Sequence, residues 1–266
     1  MMKLSVFTTM TDPESRNDPY KEALKCYEDL GDELIVVGKD WPKEFSFDLI
    51  GKIFHEGFDK CSGDWVIRMD LDYFFHENDL NNIRKFLSAN NNSPAVAFPQ
   101  YQFFTHDRYH IKTKLCIALN KKKFPEIKIN GGGDMCQPTI NNEQILHTSV
   151  PKMNTPIWQY DSMFRTKKII ADDRARFARA WNRYFNDWGD RGGGTPEEAY
   201  DAWIDMIKAK YKKHALKMNL DNHPKYIKEK LKDLTPNQFG YNAFGLQNEI
   251  KRDMFDYIKA YKEKYL

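Results

Sequence analysis

The chain has 266 residues, which is enough for one large α/β domain with a helical extension. Its net charge is only +3, from 41 basic and 38 acidic residues, which argues against a dedicated nucleic-acid-binding protein. The four cysteines form no Cys-x-x-Cys pair, so buried, reduced thiols are expected rather than a zinc site. No apolar stretch approaches the roughly 20 residues that span a bilayer. We therefore expect a soluble, cytoplasmic protein without a transmembrane segment.

The first part of the chain alternates strand and helix patterns. The predicted elements are, in order, a strand at 3–9, a helix at 20–30, a strand at 33–38, a helix capped by Asp48 and ending at Lys60, and a strand at 65–69. This β-α-β-α-β order implies parallel strands with right-handed crossovers, and therefore a Rossmann-like sheet. Thr8 and Thr9 end the first strand and Asp40 follows the second. All three are expected to border the same edge of the sheet.

The middle of the chain is predicted to add further strands to this sheet. Apolar runs between turn-forming residues predict a helix at 77–88, strands at 95–104 and 111–119 with residues 108–110 between them, and a strand at 144–150. Three glycines precede Asp134 in a turn-rich stretch, and His147 lies within the last predicted strand.

From residue 169 onward the pattern becomes helical. An aromatic stripe at helical spacing predicts a core-facing side rather than a sugar platform, and it comprises Phe177, Trp181, Tyr184 and Trp188. The run Thr195-Pro196-Glu197-Glu198 predicts a capping box with proline at the first helical position. Further helices are expected to begin near Pro224, Pro236 and Leu246.

One stretch in the first half carries a chemical signature. Gly63-Asp64-Trp65 opens a short apolar strand, which ends in Asp70 and Asp72. Residues two apart in an extended chain point to the same side, so both carboxylates are expected to face one spot at the carboxyl end of the strand. Paired carboxylates repel each other unless a cation lies between them, and hard ions such as Mg²⁺ or Mn²⁺ prefer such ligands. The alternative interpretation of Asp-x-Asp is a solvated turn.

The run from Gly63 to Glu77 resembles the nucleotide-sugar site of GT-A-type glycosyltransferases, in particular those of family 2. The resemblance covers roughly the first two-thirds of the chain. It implies an α/β GT-A domain over residues 1–168, with a Rossmann-like mixed sheet flanked by helices, and a helical C-terminal extension over 169–266 packed on it. It also implies a Mn²⁺- or Mg²⁺-dependent, inverting transfer of a hexosyl or deoxyhexosyl group. The implied partners are a nucleoside-diphosphate sugar and a glycan or other hydroxyl acceptor.

The same resemblance suggests metal ligands. It implies Asp72 as the more direct ligand, and Asp70 as reaching the metal or the ribose of the nucleotide. Relatives often place a histidine immediately before a tyrosine as a third ligand, but here Gln159 occupies that position. Asp161 or His147 are the candidates that replace it. The alternative for His147 is a strand residue whose ring is satisfied by a hydrogen bond.

Other polar residues are candidates for catalysis and nucleotide binding. An inverting transfer needs a general base, and the resemblance points to the loop that holds Asp134, with Glu143 and Asp107 as competitors. The alternative interpretation of Asp134 is a residue of a plain turn.

Arg165 lies in a basic run before a helix, where it is the preferred diphosphate contact, although such runs are also commonly solvated. By resemblance, Thr8, Thr9 and Asp40 would hold the nucleobase and ribose. The alternative for the two threonines is simple strand propensity.

Two other functions compete with sugar transfer. A sugar-1-phosphate nucleotidyltransferase would use a glycine-rich, basic loop directly after the first strand, but residues 8–19 hold a single arginine, Arg16, and no glycine. A non-catalytic relative that binds glycans or a protein remains an alternative because of Gln159 and the unassigned base.

Overall fold

The computed structural model describes residues 2–44, 46–130, 137–235 and 253–265. The strands are, in chain order, β1 (Leu4–Thr9), β2 (Glu33–Val37), β3 (Trp65–Arg68), β4 (Tyr73–Phe74), β5 (Ala95–Thr105), β6 (Arg108–Leu119), β7 (Lys128–Ile129), β8 (Pro138–Ile140), β9 (Glu143–Gln144), β10 (Ile157–Gln159) and β11 (Leu216–Lys217). The helices are α1 (Tyr20–Leu30), α2 (Phe47–Lys60), α3 (Leu80–Ala89), α4 (Lys167–Phe185), α5 (Pro196–Tyr211), α6 (Lys225–Lys232) and α7 (Met254–Tyr265).

A mixed sheet in the order β2-β1-β3-β6-β5-β10-β4 organises the fold, and β11 pairs with β6. β1 is parallel to both β2 and β3, as the predicted crossovers require. β6 then runs antiparallel between β3 and β5, while β10 is parallel to β5. β7, β8 and β9 form a separate small sheet. The predicted α/β class, with a mixed sheet flanked by helices, is confirmed.

Apolar side chains cover both faces of the main sheet. On one face, α1, α3 and α6 contribute Tyr27, Ile83 and Ile227 to a core that also includes Phe98 of β5. On the other face, α2 packs with β1, and Phe54 and Phe58 are among its buried residues. Burial on two faces explains the continuous apolar character of the central strands.

Glycine permits close approach at the start of the signature stretch. A Cβ at Gly63 would lie 2.6 Å from the backbone nitrogen of Ser5 in β1. The Gly63 N–H also donates to Ser5 Oγ at 2.8 Å. A larger residue would therefore push β3 away from β1, so this glycine is explained by packing.

Several predicted boundaries were wrong for identifiable reasons. Residues 108–110 belong to β6, because β5 and β6 form a long hairpin with a two-residue turn at His106 and Asp107. The strand expected at 144–150 reduces to β9, and His147 lies in a turn. The N-cap of α2 is Ser46, whose side chain accepts a hydrogen bond from Leu49 N at 3.3 Å, and not Asp48.

The aromatic stripe, which extends past the end of α4, is only in part the core face that its spacing predicted. Phe177 and Trp181 are partly buried and pack against the core on the α2 side of the sheet, as predicted. Tyr184 is 53% exposed and Trp188 is 38% exposed. The buried face consists mainly of small residues, namely Ile170, Ala171, Asp173, Ala175, Ala178 and Ala180. Alanines allow α4 to approach α5 closely, and the aromatic residues lie toward its C-terminal end.

The last helix of the C-terminal region packs against the main sheet. The capping box at Thr195 is present and starts α5, and α6 begins directly after Pro224, as predicted. α7 lies against β6, where Lys264 Nζ donates to Tyr109 Oη at 2.8 Å. The helix starts expected near Pro236 and Leu246 lie outside the described residues. Within the described ranges, every helix is too short or too polar to cross a bilayer.

Candidate active site

The two carboxylates of the signature stretch lie in a turn directly after β3, and both residues are partly exposed. Tyr73 N and the Tyr27 hydroxyl both donate to the carbonyl of Asp70, at 2.7 and 2.6 Å. Tyr160 N donates to the carbonyl of Asp72 at 2.9 Å. The backbone of this turn is therefore fixed between α1 and the end of β10.

Negative charge is concentrated around Asp72. Burial, together with the charges of Asp70 and Asp161, raises the pKa of Asp72 to about 7. Gln159 places Nε2 3.5 Å from Asp72 Oδ2. The sequence-predicted Asp70, Asp72 and Asp161 are thus electrostatic neighbours at one edge of the sheet. A cation placed there would stabilise the ionised form of Asp72.

The neighbours of Asp161 shift its pKa in the direction opposite to that of Asp72. Its carboxylate accepts from Gln102 Nε2 at 3.1 Å, and Arg174 lies 3.4 Å away. Although burial acts in the other direction, Arg174, Lys112 and Arg165 hold the pKa of Asp161 below its ordinary value. Asp161 is therefore ionised at neutral pH.

Arg165 lies beside the site in a network of carboxylates. Its guanidinium bonds Asp18 at 2.5 Å and Asp173 at 3.1 Å. Although burial acts against the charged form, these two carboxylates raise the pKa of Arg165. Asp173 also pairs with Arg16 at 2.9 Å and with Arg176. The predicted diphosphate contact is thus positioned by two carboxylates, and its charge reaches Asp72.

The expected nucleotide side lies at the ends of β1 and β2. Thr8 is fully buried, and its Oγ1 has no hydrogen-bond partner among the described residues. Thr9 is partly exposed, and Asp40 is exposed in the turn after β2. The loop after β1 folds onto β2, because Met10 N donates to Val37 O at 2.9 Å. The structure therefore brings these three predicted residues to the same edge as Asp70.

The remaining predicted residues do not join this cluster in the described part of the chain. Asp134 lies outside the described residues. Glu143 is exposed in β9, Asp107 lies at the tip of the β5–β6 hairpin, and His147 lies in the turn after β9.

The carboxylate pair of Asp70 and Asp72 can be tested against the ligands that a divalent ion requires. In the described ranges, no three His, Cys, Asp or Glu side chains are grouped to hold a metal ion. Two carboxylates nevertheless fit Mg²⁺ or Mn²⁺, because such ions commonly keep waters and substrate phosphates as their other ligands. The oxygen donors of Asp70 and Asp72 are of the type that these ions prefer.

Sequence reasoning missed several residues around Asp72 and Asp161. Asp18, Gln102, Lys112 and Arg174 lie on four different segments of the chain. For Gln102 a signal existed, because it lies with Gln100 in an otherwise apolar strand pattern, whereas Lys112 lies in the polar first half of β6. Asp18 and Arg174 carry no such local signal, since only the tertiary fold brings them to the site.

Comparison with known proteins gave structural similarity only. No protein-family model and no curated protein matches the sequence. Among solved structures, the chain is similar to residues 1–349 of TarS from S. aureus, a glycosyltransferase, with a TM-score of 0.38 and 11% identity over 82% of this chain and 76% of that one. For the same TarS segment in complex with UDP, the TM-score is 0.37 at 12% identity, over 85% of this chain and 78% of that one. A longer TarS structure matches with a TM-score of 0.34 at 10% identity, over 79% of this chain and 44% of that one.

Proposed function

We propose that this protein is a metal-dependent glycosyltransferase that moves a sugar from a nucleoside-diphosphate sugar to a hydroxyl acceptor. The observation that carries the proposal is the carboxylate pair Asp70 and Asp72 at the carboxyl end of β3, with its backbone fixed by Tyr27 and Tyr160. Open α/β sheets bind ligands at this edge. The resemblance of residues 63–77 to the GT-A nucleotide-sugar site supports the same assignment.

The proposed reaction is an inverting displacement at the anomeric carbon. The acceptor hydroxyl oxygen forms the new bond to that carbon while the bond from the carbon to the phosphate oxygen breaks. The electron pair leaves with the nucleoside diphosphate, and the hydroxyl proton passes to a general base, for which Asp134 is the proposed residue. Asp70 and Asp72 would hold Mn²⁺ or Mg²⁺, which supplies Lewis-acid stabilisation of the leaving diphosphate.

Other residues have supporting roles in this proposal. Thr8 and Thr9 at the end of β1, with Asp40 beyond β2, would contact the nucleoside. The buried Oγ1 of Thr8, which lacks a partner in the described ranges, supports this role. Arg165 would place positive charge near the diphosphate while Asp18 and Asp173 orient it.

The test is Mn²⁺-dependent turnover of a panel of UDP-, GDP- and dTDP-hexoses. We expect the wild-type protein to release free sugar and nucleoside diphosphate, and Asp70→Asn or Asp72→Asn to lower the rate by at least about 100-fold. Asp64→Asn is the matched control, because Asp64 precedes the opposite end of β3, where it pairs with Lys122 at 2.8 Å. Its rate should stay within about threefold of wild type.

Other products would indicate other functions. Release of pyrophosphate in the presence of a sugar 1-phosphate and a nucleoside triphosphate would indicate a nucleotidyltransferase. Full activity of Asp72→Asn with Mn²⁺ present would refute the metal-site assignment. Absence of turnover with every donor would favour a non-catalytic relative.

A further inference from the structure

A row of polar side chains lies on one face of the sheet where apolar residues are expected. In β5, Gln100 is paired in register with Lys112 of β6, and Gln102 is paired with His110. Gln159 of β10 is paired with Gln102 on its other side. Residues in register on neighbouring strands share a face, so these five side chains form one continuous strip. Gln100 and Gln102 are each only 2% exposed.

The glutamines of this polar row leave acceptor atoms unused. Gln100 Nε2 donates to Thr113 O at 2.6 Å, and Gln102 Nε2 donates to Asp161 Oδ2 at 3.1 Å. Their Oε1 atoms are buried and have no hydrogen-bond partner within the described ranges. A buried polar atom without a protein partner is commonly completed by a water, an ion or a ligand. Two such acceptors side by side suit the hydroxyl groups of a sugar.

Cations surround the same row. Lys112 Nζ donates to the neutral Gln159 Oε1 at 3.2 Å. Arg174 of α4 lies 3.4 Å from Asp161 and stacks over Trp203. Lys210 of α5 is half-buried, and burial and the charges of Lys112 and Arg174 lower its pKa, against the opposing charges of Asp161 and Asp190.

Two of these cations make no direct ion pair with a described residue, although Asp161 acts on both of them at longer range. In the described part of the chain, neither Lys112 nor Lys210 has a carboxylate within ion-pair distance, whereas Arg174 is paired with Asp161. Like charges held close together and partly buried are costly unless an anion joins them. Lys112 belongs to the row, and α5 brings Lys210 near it, because the next residue of α5, Tyr211, places its hydroxyl 3.2 Å from Thr105 Oγ1 of β5. These two lysines are therefore the candidates to bind an anion at the row.

The location of the polar row separates it from the expected nucleotide side. In the strand order, β1 and β2 lie on one side of β3, while β6, β5 and β10 lie on the other. Gln159 of the row lies beside the candidate metal site, because its Nε2 is 3.5 Å from Asp72 Oδ2, and its Oε1 accepts a hydrogen bond from Lys112. A donor bound over β1 with its diphosphate at Asp70 and Asp72 would leave this row free on the other side of the diphosphate, next to the reacting end of the donor.

From these observations we infer that the polar row is an acceptor subsite that selects acceptors with an anionic group, either a phosphate or a carboxylate. Lys112 and Lys210 pair with the anionic group, and Gln100 and Gln102 accept hydrogen bonds from acceptor hydroxyls. The inference that the bound sugar is an acceptor rests on the proposed function. Binding of an anionic sugar at the row does not depend on turnover.

The test measures binding by calorimetry of glucose 6-phosphate, glucuronate and methyl glucoside, without donor or metal. We expect at least one of the two anionic sugars to bind at least tenfold more tightly than the neutral one, and the better anion identifies phosphate or carboxylate as the natural group. In the double variant Lys112→Gln/Lys210→Gln this preference should fall to less than twofold. Equal affinity for all three sugars in the wild-type protein, or a preference that persists in the double variant, would overturn the inference.

Two further proteins control for misfolding. The charge-retaining double variant Lys112→Arg/Lys210→Arg should keep the anionic preference, and Lys212→Gln, an exposed neighbour of Lys210, should bind like wild type. Loss of preference in the arginine variant as well would overturn the assignment to charge. Donor turnover is measured separately on the wild-type protein. Anion-selective binding without turnover would refute the proposed function while leaving the subsite supported.

Discussion

At the scale of single residues, the pKa values of two carboxylates at one edge of the sheet, Asp72 and Asp161, are shifted in opposite directions. Burial and neighbouring negative charges raise the pKa of Asp72 to about 7. Arg174, Lys112 and Arg165 outweigh burial and lower the pKa of Asp161. The difference follows from the placement of cations on the Asp161 side of the cluster. Asp72 is therefore the residue whose charge would respond to a bound cation.

The first prediction concerns Asp72 and the pH dependence of stability without metal. Because the pKa of Asp72 is raised on folding, the folded state loses stability as pH rises from about 4 to about 7. Asp72→Asn removes this loss and should raise the free energy of unfolding at pH 8 by roughly 1–3 kcal/mol, a value discounted because the side chain is partly solvated. Thermal melts in EDTA at pH 5 and pH 8 measure the effect. A gain of the same size at both pH values, or a loss at pH 8, would contradict it.

At the scale of elements, an ion network fastens α4 to the loop between β1 and α1. Asp173 of α4 pairs with Arg16 of that loop and with Arg165, which also bonds Asp18 of the same loop. Asp173 is only 5% exposed, so its charge depends on these arginines. Because Arg165 influences Asp72, the network also connects the packing of α4 to the candidate site.

The second prediction tests this network. Asp173→Asn should lower the free energy of unfolding by about 2–3 kcal/mol, because it leaves partly buried arginines without their shared partner. Lys168→Ala on the same helix is the control. Lys168 pairs with Asp172 at 3.0 Å, but its side chain is 87% exposed, so the change should stay below about 0.5 kcal/mol. Urea unfolding of both variants gives the comparison, and equal effects would contradict a structural role for the network.

At the scale of the whole molecule, the strand order places different chemistry on the two sides of Asp72. β1 and β2 supply Thr8 and the turn with Asp40 on one side. The long hairpin of β5 and β6, with β10, supplies glutamines and Lys112 on the other. Helices α4 and α5 bring Arg174 and Lys210 to that second side. The proposed transfer between two substrates would use this division.

The third prediction follows from linkage between ligand binding and folding. A nucleoside diphosphate with Mn²⁺ should raise the melting temperature, since a ligand at 100 times its Kd stabilises by about 2.7 kcal/mol. The shift should require both components and should be lost in Asp72→Asn. Differential scanning fluorimetry with UDP, GDP and dTDP, each with and without Mn²⁺, measures it. A shift that persists fully in Asp72→Asn would place the nucleotide elsewhere.

The sequence by itself determined the local elements and the position of the carboxylate pair. The bounds of α1, the capping box at Thr195 and the β-α-β-α-β order of the first 70 residues all agree with the structure. These features depend on periodicity and on capping or turn residues close together in the chain. Asp70 and Asp72 could be placed at a strand end for the same reason.

Only the tertiary structure decided how distant segments meet. It extended β6 through residues 108–110, left Tyr184 and Trp188 of the aromatic stripe exposed while burying the alanines of α4, and gave Arg165 its two carboxylate partners. It also brought Gln102, Lys112 and Lys210 from three elements to one face. Such contacts depend on strand register and helix packing between residues far apart in the chain. Local periodicity does not specify them, because the same local pattern is compatible with several long-range pairings.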